Sequence, residues 1–428
     1  MMNERRRIAI TGVGMVTSVG NDAATTWTNL KKGVSGVDLI QNFDASGFST
    51  RIGAEVKGFD LEAAVPDRKL RKFAARSHRF AFGAAEEALT DAGIRPEPKT
   101  ADRWGFCVGA GMLGFELDQV EDIHRFCCRE GDFDPDGLLD PDYPVDPVAF
   151  FRSQTNAPVG LLTQHFGIRG YSTAIHTACA SGGQAIGTAL RALRRGTCDL
   201  VLAGGYDSML NPLGMSGFCL LGAMSMDNEH PERASRPFDL TRNGFVLGEG
   251  AGFLVLEDWH AAEKRGARIY AELAGDGNSL SCYRVTDSPP DGNGPIQSMQ
   301  RAMADAGVTP GEIDYINAHG TSTPMNDPSE CVAIRAVFGK NSEQVWVSST
   351  KSCMGHLIAA AGAVEAVVCT LAVKDGVAPV NANLETPDPE CNVNIVRGES
   401  RQIRIRTAMS NSFGFGGSNN CLIFKSPE

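Results

Sequence analysis

Apolar positions along the chain fall into two alternating kinds of segment. Short, almost continuous apolar runs that end in glycine read as buried strands: IAITGVG (Ile8–Gly14), WGFCVGAG (Trp104–Gly111), IYAELAG (Ile269–Gly275) and IDYINAHG (Ile313–Gly320). Longer segments with small and apolar residues at helical spacing lie between them. Two of these, AAEEALTDAGI and SMQRAMADAGV, close on the same Asp-Ala-Gly; Asp91 and Asp305 lie 214 residues apart, half of the 428-residue chain. Each is followed by a Pro-containing turn and a strand-like run. STAIHTACASGGQAIGTALRAL and VWVSSTKSCMGHLIAAAGAVEAV both pass from a strand into a small-residue helix. Strands alternating with helices predict an α/β architecture, and the repeat predicts duplication into two packed halves. The charged stretch Ala261–Arg268 marks the boundary, giving halves of 1–266 and 267–428. No Ser/Gly linker separates them, so they are expected to share an interface.

Two segments depart from this alternation. Gly131–Pro147 (GDFDPDGLLDPDYPVDP) sets Asp against Pro repeatedly and is predicted as a surface loop. His356–Val373 is the most apolar stretch and carries Glu365 near its middle. In lipid that charge would cost at least about 2.5 kcal/mol, so a buried core helix is predicted there and no membrane span.

Composition narrows the class. Hydrophobic residues make up 42% and charged residues 21%, which excludes a disordered or collagen-like chain. A net charge of −11 argues against a general nucleic-acid binder. Twelve cysteines include no C-x-x-C pair, and no signal-like segment opens the chain. They read as reduced thiols of a cytoplasmic protein. Glycine, at 48 residues, exceeds its usual share of about 7%, so backbone must pass closely at many places.

Three residues stand out chemically. Cys179, in HTACASGGQAIG, is placed at a strand-to-helix turn. A thiol near a helix N-terminus faces unpaired backbone N–H groups, which lower its pKa and can hold an oxyanion. His319, in NAHGTSTPMND, and His356, in STKSCMGH, follow predicted strands, where α/β folds place ligands. His78, His124, His165, His176, His230 and His260 lack such flanks and read as surface or core residues. A metal set usually shows close ligand pairs; here the spacings are 140 and 37 residues, so metal is not expected. Two glycine clusters, GFVLGEGAG (Gly244–Gly252) and NSFGFGGSNN (Asn411–Asn420), match neither nucleotide-binding fingerprint. Their glycines are expected to let backbone approach a substrate, with Phe413 and Phe415 as a lid or as core.

At these residues the sequence resembles the β-ketoacyl-ACP synthases, the elongating condensing enzymes of the thiolase superfamily. The motifs run in order: TACASG with Cys179, ASRPFD with Asp239, GFVLGEGAG, NAHGTSTP with His319, STKSCMGH with Lys351 and His356, and the GFGG loop with Phe415. The resemblance implies a duplicated α-β-α-β-α five-layer fold, a homodimer or a heterodimer with a related subunit, and no bound cofactor. Its substrates would be acyl and malonyl thioesters on acyl carrier protein. It implies catalysis by Cys179, His319, His356 and Lys351, with Glu330 pairing with the lysine and Asp327 in support. Backbone N–H groups of Cys179 and Phe415 would form the oxyanion hole, Thr321 and Thr323 would bind pantetheine, and Phe413 and Phe415 would gate.

The second motif histidine, where an asparagine marks initiating enzymes, favours the elongating branch. Cys421 falls in a strand-like run, unlike the second cysteine of degradative thiolases. Met325-Asn326-Asp327-Pro328, Cys353-Met354, Ser281 and Arg284 depart from the commonest family pattern and hint at a specialised acyl chain. The alternative is the catalytic ketosynthase of a type II polyketide or polyene system, paired with a chain-length-factor subunit. A non-catalytic subunit is disfavoured by the complete Cys-His-His set. An acidic carrier needs a basic patch, and DRKLRKFAARSHR supplies Arg68, Lys69, Arg71, Lys72 and Arg76; Gly222 stands where the family often has a basic residue.

Overall fold

The structure is a computed structural model describing residues 6–111, 117–144 and 146–427. Val145, inside the predicted Gly131–Pro147 loop, lies outside the described residues; the rest of that stretch is mostly exposed turns with a short 3-10 turn at Pro135–Leu139.

Ten strands make one continuous sheet. They are β1 (Ile8–Val16), β2 (Trp104–Gly109), β3 (Ser172–Ile175), β4 (Leu200–Ser208), β5 (Glu249–Asp258), β6 (Ala271–Leu280), β7 (Tyr315–Asn317), β8 (Trp346–Ser348), β9 (Thr407–Phe413) and β10 (Ser418–Lys425). Their order is β8-β7-β9-β10-β6-β1-β5-β4-β2-β3. Numbered within each half, the order from edge to centre is 3-2-4-5-1 on both sides, so the two halves repeat the same topology. Strand directions repeat as well: β1 is antiparallel to β5 as β6 is to β10, and β2 is parallel to β3 and β4 as β7 is to β8 and β9. β1 and β6 pair antiparallel at the centre and join the halves, as the missing linker implied.

Helices cover both faces of each half. α1 (Arg76–Ala92) packs outside β1, β4 and β5; α3 (Asn293–Ala306) does the same outside β6 and β10. Both end on a left-handed glycine, Gly93 at φ +62° and Gly307 at φ +63°, which explains the shared Asp-Ala-Gly. Between the halves lie α2 (Ser181–Arg194) and α5 (Ala361–Asp375), which pack on each other and on strands of both halves. α4 (Asn326–Phe338) packs beside α3. The two halves of the one sheet thus enclose the inner pair α2 and α5, and the layers run outer helix, strands of one half, inner helices, strands of the other half, outer helix.

Much of the glycine excess serves this layering. A Cβ on Gly12 or Gly14 would strike Ala88 or Ala84 carbonyl oxygen at 2.2 or 2.0 Å; on Gly275 or Gly277 it would strike those of Ala302 or Ser298 at 2.5 or 2.1 Å. The same close approach of strand to outer helix occurs in each half. Residues Ala361 to Val373 are all buried, Glu365 among them, so most of the apolar stretch is a core helix; its first five residues instead make a bridge at His356 and a short 3-10 turn at Ile358–Ala360. Among the described residues no helix is long and apolar enough to cross a membrane.

Candidate active site

Cys179 sits four residues beyond the end of β3, at the turn into α2. Ala178 adopts φ +49°, a left-handed conformation costing roughly 1 kcal/mol for a residue with a Cβ. Ser181 Oγ holds this turn, donating to Ala178 O (2.6 Å) and accepting the Thr177 N–H (2.8 Å). The thiol is thereby presented to a cavity, while α2 packs so closely on α5 that a Cβ on Gly182 would lie 2.7 Å from Ala363 N. The small residues after the cysteine therefore admit another helix of the same chain.

His356 Nε2 lies 3.1 Å from Sγ, and the backbone N–H groups of Phe415 and of Cys179 itself favour the thiolate. The position before a helix predicts a lowered thiol pKa, and here the structure corrects the sequence. Burial pushes the resting thiol up to about 11; the two N–H groups and the charge of Lys351 act in the opposite direction without overcoming it.

The two imidazoles meet edge-on, with ring centroids 5.3 Å apart. His356 is strapped to the GFVLGEGAG segment: its N–H donates to Val246 O (2.7 Å) and its carbonyl accepts the Gly248 N–H (3.0 Å). Burial, reinforced by Lys351, holds both rings well below the usual histidine range, so both are neutral. His356 Nδ1 accepts the Ile358 N–H at 3.2 Å, which assigns its single proton to Nε2, facing Sγ. His319 Nδ1 has no hydrogen-bond partner among the described residues.

Glu330, on α4, accepts the backbone N–H groups of His319 (2.9 Å) and Gly320 (2.8 Å) and Nδ2 of Asn411 (3.0 Å). The implied pairing of Glu330 with Lys351 is corrected, because the lysine's ion pair is made to another carboxylate. Lys351 instead forms a buried ion pair with Glu365 of α5. Asp327 plays a part like that of Glu330, accepting from Phe238 N (2.8 Å) and Thr321 N (3.0 Å) and tying the ASRPFD segment to the His319 loop.

A cavity of about 290 Å³ opens onto these groups. Cys179, His319, His356, Thr321, Thr323, Phe413 and Phe415 all line it, and the Thr321 and Thr323 hydroxyls are 2.9 Å apart. Of the GFVLGEGAG glycines only Gly244 lines the cavity; Gly252 instead lets β5 press on Val364 of α5. Phe413 is a buried β9 residue packed on His319 (centroids 5.8 Å apart), so it forms wall and not lid. Phe415 is half-buried in the loop beyond and lines the cavity. That loop is clasped to Ser281–Val285: Ser281 N donates to Gly417 O (2.7 Å), Gly416 N to Val285 O (2.7 Å) and Asn419 Nδ2 to Ser281 Oγ (2.9 Å).

The basic segment is smaller than its sequence suggests. Arg68, Lys69 and Lys72 are exposed. Arg71 is engaged by Glu62 and by the Val65 and Pro66 carbonyls, and Arg76 reaches inward to buried Glu249. These two guanidiniums are engaged within the fold, which leaves Arg68, Lys69 and Lys72 as the exposed cations of the segment. Cys421 lies buried in β10, away from the cavity lining, as its strand-like surroundings predicted.

Comparison with known proteins agrees with this geometry. The Beta-ketoacyl synthase N-terminal domain family matches residues 5–262, and the C-terminal domain family matches residues 270–385. Proteins named 3-oxoacyl-[acyl-carrier-protein] synthase 2 are 41% identical in Vibrio cholerae (98% of this chain, 99% of that one) and 40% identical in Coxiella burnetii (98% of each). The ishigamide ketosynthase/chain length factor superposes with a TM-score of 0.88 at 32% identity, covering 99% of this chain and all of that one. The ketosynthase complex AntDE:AntF, a type II polyketide synthase with its acyl-carrier protein, superposes at 0.87 with 31% identity, again covering 99% of this chain and all of that one. The repeated topology, the clustered Cys179, His319 and His356, and full-length similarity to these proteins place the chain in the β-ketoacyl synthase family.

Proposed function

We propose that the chain is a 3-oxoacyl-[acyl-carrier-protein] synthase that lengthens a Cys179-bound acyl chain by two carbons from a malonyl thioester. The observation carrying this reading is the meeting of Cys179, His319 and His356 on one cavity, with a His356 proton assigned to Nε2, 3.1 Å from the sulfur. Cys179 attacks the carbonyl of an acyl thioester, and the N–H groups of Cys179 and Phe415 hold the oxyanion as the carrier thiol leaves with a proton. Malonyl thioester then enters along Thr321 and Thr323. Its carbonyl accepts hydrogen bonds from Nε2–H of His356 and of His319, and the enolate formed as CO2 departs is stabilised by two neutral donors. The enolate carbon attacks acyl-Cys179, the C–S bond breaks, and the thiol is regenerated with a proton from solvent. Burial, reinforced by Lys351, keeps both imidazoles neutral, and Glu330 and Asp327 fix the His319 loop. The nucleophile belongs to the half 1–266 and the two histidines to the half 267–428.

Acyl carrier protein is the donor in this reading, docking at Arg68, Lys69 and Lys72, and the protein works as a dimer in the cytoplasm. Cys179→Ala should abolish condensation, and Cys179→Gln should keep or raise malonyl decarboxylation. Elongation by Cys179→Ala would overturn the reading. The polyketide alternative draws on the two structural relatives and on the Ser281, Arg284 and Met325 departures; the higher identity to the synthase 2 proteins favours the fatty-acid-type role. Mass spectrometry of the acyl-enzyme after exposure to a panel of acyl carrier proteins separates the two.

A further inference from the structure

We propose that Cys179, His319 and His356 also bind a soft divalent metal ion of the zinc type, and that its occupation holds the enzyme inactive. One sulfur and one nitrogen from each imidazole lie within 4.8 Å of one another, and all three side chains are buried. The Cys179 Sγ to His356 Nε2 separation is 3.1 Å. Zn–S bonds of about 2.3 Å and Zn–N bonds of about 2.0–2.1 Å bridge such separations after small side-chain rotations. Three protein ligands leave a fourth position, which water from the 290 Å³ cavity can fill. Along the chain the spacings of 140 and 37 residues carry no metal signature; the fold alone supplies the proximity.

The balance of groups makes this an exchangeable inhibitory site. The ion displaces the thiol proton to solvent as the S–Zn bond forms. His319 offers a nitrogen readily, because no partner at Nδ1 fixes where its proton sits. His356 must shift its proton from Nε2 to Nδ1 and give up the Ile358 N–H bond. The Lys351 ammonium opposes a nearby cation, and Glu365 offsets that charge. Hard ions such as magnesium prefer oxygen ligands, which this set lacks. A bound zinc ion occupies the sulfur electron pair that would attack the thioester, so metal and acylation exclude one another. The inference stands on three atoms and not on the condensation reaction, and its test reads metal and thiol directly.

The full-length protein is dialysed against zinc chloride, with magnesium chloride as the hard-ion control. Wild type should take up one more zinc ion per chain than Cys179→Ala or His319→Ala, each variant checked for folding by circular dichroism. Labelling of Cys179 by iodoacetamide, followed by peptide mass spectrometry, should slow about tenfold once the metal-free fraction falls to about a tenth. EDTA should restore the rate, and magnesium should leave it unchanged. Equal zinc uptake by wild type and both variants would assign the ion to other thiols, such as exposed Cys282, and overturn the proposal. So would an unchanged Cys179 labelling rate at saturating zinc.

Discussion

Lys351 and Glu365 form an ion pair sealed from water, with side-chain exposures of 1% and 0%, directly behind the two histidines. Removing one partner strands the other charge in the core, which typically costs about 3–5 kcal/mol. Lys351→Met is therefore expected to lose stability on that scale in urea unfolding. The double variant Lys351→Met/Glu365→Leu should recover most of it, since both charges are gone. Malonyl decarboxylation should stay below that of wild type in the double variant, because the lysine's share in holding the buried histidines neutral is lost. Full decarboxylation there would reduce Lys351 to a packing role.

The residues of this site differ in how openly the sequence displays them. Cys179, His319 and His356 were visible because each follows a strand-like run and precedes a turn. The duplication was visible because Gly93 and Gly307 end equivalent helices. Glu365 was visible only as an obstacle to a membrane span; its partner is 14 residues upstream on another short helix, outside any i,i+4 pattern. Glu330 bonds backbone N–H groups, which no side-chain pattern reports. The sign of the Cys179 shift depends on burial, which local position cannot give. Arg71 and Arg76 read as docking charges along the chain, yet the fold brings them to Glu62 and Glu249, the latter 173 residues from Arg76.

The reduced basic patch separates docking from stability. Lys69→Glu, an exposed change, should raise KM for carrier-bound substrates severalfold with kcat unchanged, and more so at low salt. Arg71→Glu should instead lower the melting temperature, since it loses Glu62 and two backbone carbonyls. An unchanged carrier KM in Lys69→Glu and Arg68→Glu would clear the patch of a docking role.

Gly417 fixes the clasp between the two loops at the cavity. It sits at φ +79°, and an added Cβ would lie 2.2 Å from Ser281 O. Gly417→Ala should force the loops apart and move the Phe415 N–H off Sγ. Loss of one oxyanion donor is worth about 10²–10³-fold in rate, so single-turnover acylation should fall by roughly that factor, while the strained left-handed backbone also lowers stability in urea by about 1 kcal/mol or more. Wild-type acylation in Gly417→Ala would show that the clasp does not position Phe415.

His78 couples the fold to acid. It is buried, its Nδ1 accepts the Ala75 N–H at 3.2 Å, and its ring meets Tyr206 edge-on at 5.2 Å. Burial, aided by the charge of Arg152, pushes its pKa from 6.5 down to about 4. The unfolded chain takes up this proton near pH 6.5 while the native chain refuses it until about pH 4. The stability His78 contributes is thus complete above pH 6.5 and is lost as pH falls from there toward 4, by about 3 kcal/mol in all. His78→Gln keeps an acceptor for the Ala75 N–H and removes the titration. Its unfolding free energy should therefore fall less steeply than that of wild type between about pH 7 and about pH 4.5. Equal slopes in urea unfolding across that range would mean that native His78 is protonated along with the unfolded chain.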